Sequence, residues 1–209
     1  SGVAVVGNDG TCRIHKTPDP ASAFVASAGY ADLMASTGEK TTVVMGHTRW
    51  ATQGTPADNR NNHPLECGSI IGTHNGTVTN AAGVTSRFGL KRHAEVDSET
   101  LFRLAERHVG QSGMDLEGWM ADLATCRGDM AIAAVTLTHP EELLPLRGDR
   151  PLAIGYEPDL HLLAYASERR ILEGATQGKG RWSFLNIGPF QALRVRAGDI
   201  PRIQAQPFL

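Results

Sequence analysis

Gly46-His47-Thr48-Arg49-Trp50-Ala51-Thr52-Gln53-Gly54 is the stretch on which the reading of this chain turns. The residues before it, Thr41–Met45, are β-branched and apolar, so the segment predicts an arginine delivered at a strand end into a glycine-containing loop. Such a scaffold can aim a guanidinium into a pocket, where its planar fork grips a carboxylate through two parallel N–H bonds. Each bond of that charge-assisted kind contributes about 1.5–3 kcal/mol. Taken alone, the segment allows an equally good structural reading, with Arg49 in an ion pair and Trp50 in the core.

Downstream, Ala51–Pro64 is a polar loop rich in Asn, Gly and Pro, long enough to carry function. Ser69–Thr73 then reads as a buried strand ending at His74-Asn75-Gly76. Asn-Gly after a strand is ordinarily a hairpin turn. The same pair can instead set an amide side chain beside a free backbone N–H, which is what a developing oxyanion needs; losing one such donor typically costs about 2.7–4 kcal/mol of barrier. Asn75-Gly76-Thr77 also spells a glycosylation sequon, discounted because nothing indicates secretion. The third segment, Glu95-Val96-Asp97-Ser98-Glu99, opens a helical pattern over Ser98–Val109 with Leu101, Leu104 and Ala105 on one face. Asp97 or Ser98 is the expected N-cap there, although a carboxylate at that place can also face an ammonium group.

In this order and spacing the three segments resemble the class II glutamine amidotransferases, whose pattern is His-Thr-Arg-Trp-Ala-Thr, a Pro-containing loop, His-Asn-Gly, and an acidic residue before a helix. Within that family the glutaminase domains of glucosamine-6-phosphate synthases are the nearest group. Their Asn-x-His-Pro is matched by Asn61-Asn62-His63-Pro64, and their His-Asn-Gly-x-x-x-Asn by His74–Asn80. Their Arg-Gly, Arg-x-x-x-Pro-Leu and late Ala-Ser are matched by Arg127-Gly128, Arg147–Leu152 and Ala166-Ser167. The likeness covers essentially the whole chain. Gln53 stands where the synthases often have His, so the relation is to the superfamily more than to that enzyme.

The resemblance implies an α+β fold, a four-layer αββα sandwich of the N-terminal-nucleophile hydrolase type with two antiparallel sheets and helices outside. It implies that Arg49 holds the α-carboxylate of L-glutamine and Asp97 its α-ammonium, that the Asn75 side chain and Gly76 backbone form the oxyanion hole, and that Trp50 and Thr52 line the pocket. No cofactor and no metal are implied. The expected activity is glutamine hydrolysis through a Cys thioester, with ammonia passing to an acceptor synthase domain or subunit. A related γ-glutamyl amide hydrolase, or a nucleophile-free module that binds glutamine or regulates a partner, would share most of these residues.

In that family the nucleophile is a Cys that begins the mature chain, with its own α-amine, of unperturbed pKa about 7.7–8, as base. Here Ser1 stands first, and Ser1–Thr17 reads as a β-hairpin around the turn Gly7-Asn8-Asp9-Gly10. That hairpin resembles the family's following Ser-Ala-Gly-Leu-Ala-Val-Val segment. The expectation is therefore one domain over 1–209 that lacks the first strand and helix bearing the nucleophile. A domain that lost its nucleophile is the second reading, and Ser1 as nucleophile a remote third. Cys12, Cys67 and Cys126 are not at a chain start and read as packing residues.

Composition sets the remaining bounds. A chain of 209 residues with 41% hydrophobic residues can bury a core as a single domain. A net charge of −2 leaves no basic footprint for nucleic acid or an anionic membrane, so a small molecule or another protein is the expected partner, a homo-oligomer included. Three scattered cysteines exclude a disulfide framework and a Cys-rich zinc site, and no apolar run approaches bilayer length. These features predict a cytoplasmic protein.

Elsewhere Ala21–Ser36 reads as one helix stopped by Gly38, and Asn80–Phe88 and Leu116–Leu123 as two more. Met130–Leu137, Leu143–Arg147, Leu152–Tyr156, His161–Ser167 and Phe190–Val195 read as strands. Thr176-Gln177-Gly178-Lys179-Gly180 lacks phosphate-loop spacing and is expected to be a solvated turn. The chain ends near Gly198-Asp199-Ile200, about where the family's domain ends, and no synthase domain is expected within it.

Overall fold

The computed structural model describes residues 1–185, 187–196 and 204–207. The chain opens with the expected hairpin, β1 (Gly2–Gly7) and β2 (Cys12–Lys16). Next comes not one helix but two, α1 (Ala21–Val25) and α2 (Ala28–Ala35). Ser27 makes the break: its backbone is extended and its Oγ accepts from Tyr30 N–H at 3.2 Å, capping α2. β3 (Thr41–His47) returns along β1, giving the sheet order β2-β1-β3.

After the long loop come β4 (Leu65–Cys67) and β5 (Ile70–Val78). β5 does not stop at His74. It runs straight through Asn75-Gly76, which form no turn, because β8 pairs with it residue by residue from Ile70↔Thr136 to Val78↔Gly128. Helices α3 (Ala81–Phe88) and α4 (Ser98–Glu106) follow, then the short pair β6 (Val109–Gly110) and β7 (Gly113–Met114), and α5 (Leu116–Leu123). β8 (Gly128–Thr136), β9 (His139–Arg147), β10 (Ala153–Glu157) and β11 (Leu162–Ala166) fall where the strand pattern predicts, as two antiparallel pairs in separate sheets. Then come α6 (Arg169–Thr176), β12 (Ser183–Leu185), β13 (Gln191–Arg196) and β14 (Gln204–Pro207). Gly198-Asp199-Ile200 lie outside the described residues.

The central sheet has the order β14-β13-β9-β8-β5-β4, with every neighbouring pair antiparallel. Both of its faces are buried, which is why β8 reads Met-Ala-Ile-Ala-Ala-Val with no polar alternation. Ile132 and Ala134 point into one core with Leu101, Phe102, Leu104, Trp119 and Leu123 of the helices. Ala133 and Val135 point into a second core with Ala4, Val6 and Met45 of the hairpin sheet and Ile154 of β10. β10 is itself the middle of a second three-stranded sheet, β11-β10-β12. The two small sheets therefore share one layer against the central sheet. α2 packs outside one of them and α6 outside the other. The result is the four-layer αββα arrangement, with the second β layer split into two halves. No helix among the described residues is long and apolar enough to cross a membrane.

Candidate active site

β3 ends at His47, and Thr48, Arg49 and Trp50 continue from it into the loop. The neighbouring strand β5 carries Asn75 and Gly76, and α4 begins just after Asp97. These elements converge on one cavity of about 300 Å³, whose wall includes Arg49, Trp50, Thr52, Asn75, Gly76 and Asp97. All six residues singled out in the sequence thus border the same hollow, although Trp50 lies at its lip, 90% exposed.

Arg49 is fixed by its own loop. Its Nη2 donates to the carbonyls of Gln53 and Gly54, the latter at 3.2 Å, while its buried Nη1 has no hydrogen-bond partner among the described residues. Burial pulls its pKa down and Asp97 nearby pushes it back up. The loop is braced from below by two asparagines to which the sequence reading gave no role. Buried Asn61 donates to Thr55 O (3.1 Å) and Glu95 Oε2 (2.9 Å) and accepts from Glu95 N–H (2.8 Å). Buried Asn62 donates to Pro56 O at 2.8 Å.

Asp97 does not cap its helix. Its backbone is already helical, its side chain makes no capping bond, and its Oδ2 accepts instead from Val78 N–H on β5. With 3% of its surface exposed, it is a buried carboxylate at the cavity wall, within electrostatic reach of Arg49.

Gly76 explains its own identity. Its φ is +144°, and a Cβ there would lie 1.9 Å from the Asp129 carbonyl oxygen, so no other residue fits without displacing the strand. Thr77 N–H donates to Asp129 Oδ1 at 2.8 Å. Two carboxylates, Asp129 and Asp97, thereby hold the two successive backbone amides that follow Gly76.

Three histidines on the same wall were not assigned roles from the sequence: His47, His63 and His74. His74 is hydrogen-bonded at both ends, Nδ1 with Ser98 Oγ at 2.8 Å and Nε2 with the Asp129 carbonyl at 3.3 Å. The rings of His47 and His63 lie 4.6 Å apart, and neither nitrogen of buried His63 has a hydrogen-bond partner among the described residues. Burial lowers all three pKa values, His47 to about 4, with Arg49 adding to the shift of His47 and His63. All three rings are neutral at pH 7. The only sequence signal for His63 is its place in Asn61-Asn62-His63-Pro64.

No cysteine of this chain borders the cavity. Burial raises the thiol pKa of Cys12 and Cys126 to about 11 and that of Cys67 to about 12, the opposite of activation. Ser1 is turned aside as well: its amine donates to Thr17 O (2.8 Å) and Asp19 O (3.1 Å), and its Oγ to Asp19 O (3.0 Å). A second cavity of about 300 Å³ lies behind the first and shares His47, Thr48 and Asn75 with it. It separates the end of β3 from Tyr165, Ala166 and Ser167 at the end of β11, above Ala131 and Ala133 of the central sheet. β3 pairs only with β1, and β11 only with β10, so each turns an unpaired edge outward among the described residues. Thr176–Gly180 follows the C-terminal end of α6, where the helix dipole disfavours phosphate.

No family model matches the chain. It is 37% identical over 118 residues to the glutamine–fructose-6-phosphate aminotransferase (isomerizing) of Gluconobacter oxydans, covering 55% of this chain and 19% of that protein. To the enzyme of the same name from Methanothermobacter thermautotrophicus it is 32% identical over 167 residues, covering 78% of this chain and 27% of the relative. The chain thus spans about a quarter of the length of these relatives or less. Among solved structures, the glutamine phosphoribosylpyrophosphate amidotransferase of B. subtilis, complexed with ADP and GMP, superposes with a TM-score of 0.71 at 20% identity, over 100% of this chain and 43% of that one.

Proposed function

We propose, from this chain's membership of the class II glutamine amidotransferases and from the cavity it contains, that it is their glutamine-hydrolysing domain. L-Glutamine enters with its α-carboxylate toward the Arg49 guanidinium and its α-ammonium toward Asp97, both on the cavity wall. Its side-chain amide then reaches the Asn75-Gly76 wall. Attack by a thiolate turns the amide carbonyl into an oxyanion, which the Asn75 side-chain N–H and the Gly76 backbone N–H stabilise. Ammonia leaves, and water cleaves the thioester to give glutamate. Trp50 and Thr52 form the rim. The ammonia goes to a synthase domain or subunit beyond these residues, as the partial coverage of the relatives allows.

The nucleophile in this account is a cysteine on a segment outside residues 1–209, and the chain is a single domain without its first strand and helix. Two observations support this: the remoteness of Cys12, Cys67 and Cys126, and the slot between the unpaired edges of β3 and β11, beside Asn75. The observation that carries the whole reading is the convergence of Arg49, Asp97, Asn75 and Gly76 on one cavity.

A nucleophile-free module that binds glutamine is the second reading, favoured by the absence of any cysteine at this wall. Release of glutamate from glutamine by the full-length protein separates the two. Hydrolysis that stops when an N-terminal cysteine is alkylated supports the enzyme. Tight glutamine binding without hydrolysis supports the module.

A further inference from the structure

Asp129 is the second residue of β8 and sits opposite Thr77 in the register. Its side chain accepts from the Thr77 N–H, and its carbonyl closes over Gly76 and against His74. One residue therefore sets the backbone on both sides of the Gly76–Thr77 peptide. That placement has an electrostatic consequence. A carboxylate beside an oxyanion cradle opposes the negative charge that develops there, and the opposition is strongest where water is scarce. The structure supplies a counter-charge: Arg150, in the turn after β9, lines the same cavity and pairs with Asp129 Oδ2. Oδ1 is left for Thr77, so a single carboxylate is both oriented and neutralised.

We propose that Arg150 and Asp129 are positioning residues of the oxyanion cradle, with Asp129 fixing the strand at Thr77 and Arg150 cancelling the charge that this brace would otherwise place beside the reacting carbonyl. The proposal rests on the glutaminase reading above. It assigns Arg150 no contact with the substrate's α-carboxylate, which belongs to Arg49. A second cation-lined end of the cavity therefore serves the transition state and not the ground state.

The test is a set of variants of the full-length protein assayed for glutamate release. Arg150→Gln leaves the Asp129 charge bare and is expected to lower kcat about tenfold with KM within twofold, since the lost interaction matters only as charge develops. Arg150→Lys, which keeps the charge, stays within about threefold of wild type in kcat. The decisive variant is the double one. Adding Asp129→Asn to Arg150→Gln removes the offending charge while the amide oxygen still accepts from Thr77, so kcat recovers to within about threefold. A purely structural ion pair predicts no such rescue. An unchanged kcat in Arg150→Gln, or a double variant as slow as the single one, overturns the proposal while leaving the glutaminase reading in place. A wild-type protein that never hydrolyses glutamine removes that reading and this proposal with it.

Discussion

Asp97 Oδ2 accepts the backbone N–H of Val78, so the carboxylate at the start of α4 is tied to the strand that carries Asn75 and Gly76. The group that would hold the substrate's ammonium and the groups that would meet its amide thus form one rigid unit, and Arg49 closes it from the β3 side. A zwitterion held at one end by this frame has its far end placed without loop movement. Pre-set geometry of this kind is what converts binding into rate.

Arg49→Lys tests the carboxylate end. Lysine keeps the charge but cannot present two parallel N–H groups or reach the Gln53 and Gly54 carbonyls in the same way. Loss of one charge-assisted bond predicts a rise in KM for glutamine of about tenfold or more, measured by steady-state kinetics. An unchanged KM and kcat would remove Arg49 from the site.

Gly76→Ala tests the backbone of the cradle. The added Cβ meets the Asp129 carbonyl and the φ of +144° is strained for alanine, so the variant should lose about 1–3 kcal/mol of stability in urea titration. Stability equal to wild type would show that the strand relaxes there at no cost.

Two histidines of the cavity wall, partly buried His47 and buried His63, predict a pH profile of stability. His47 has a folded pKa of about 4 against an ordinary 6.5, and His63 is shifted in the same direction. A lowered folded pKa means that the unfolded chain binds the extra proton first. Their contribution to stability is therefore complete above pH 6.5 and is lost as the pH falls toward 4. For His47 alone the loss is at most about 3 kcal/mol. Urea midpoints between pH 7 and pH 4 should fall steeply in the wild type and less steeply in His47→Asn. Parallel slopes would show that the ring is not buried neutral.

Much of this was legible before any coordinates. Strands β8 to β11 announced themselves through apolar runs broken by Gly148-Asp149-Arg150-Pro151 and Glu157-Pro158-Asp159. The cavity residues were legible because they lie in three short contiguous segments, Gly46–Gly54, His74–Asn80 and Glu95–Glu99. Asn75-Gly76 misled as a turn because local propensity is blind to the β8 partner that holds the strand extended. Asp97 misled as a cap for a similar reason, since its real donor, Val78 N–H, is 19 residues away. The single helix expected over Ala21–Ser36 broke at Ser27, a polar residue whose hydroxyl caps a new helix more readily than it continues an old one. His63, Asn61 and Arg150 lay inside matched motifs but their roles did not show there, because those come from what long-range folding sets beside them. α6 was missed because it is short and Leu172 is its one buried residue, too little to set an apolar stripe.

The measurement closest to the central claim is the split between kcat and KM in Asn75→Ala, assayed for glutamate release in the full-length protein. Removing one oxyanion donor should lower kcat by about a hundredfold or more while KM for glutamine stays within about twofold. A variant that changes KM alone, with kcat at the wild-type value, would contradict the placing of the substrate amide against Asn75 and Gly76.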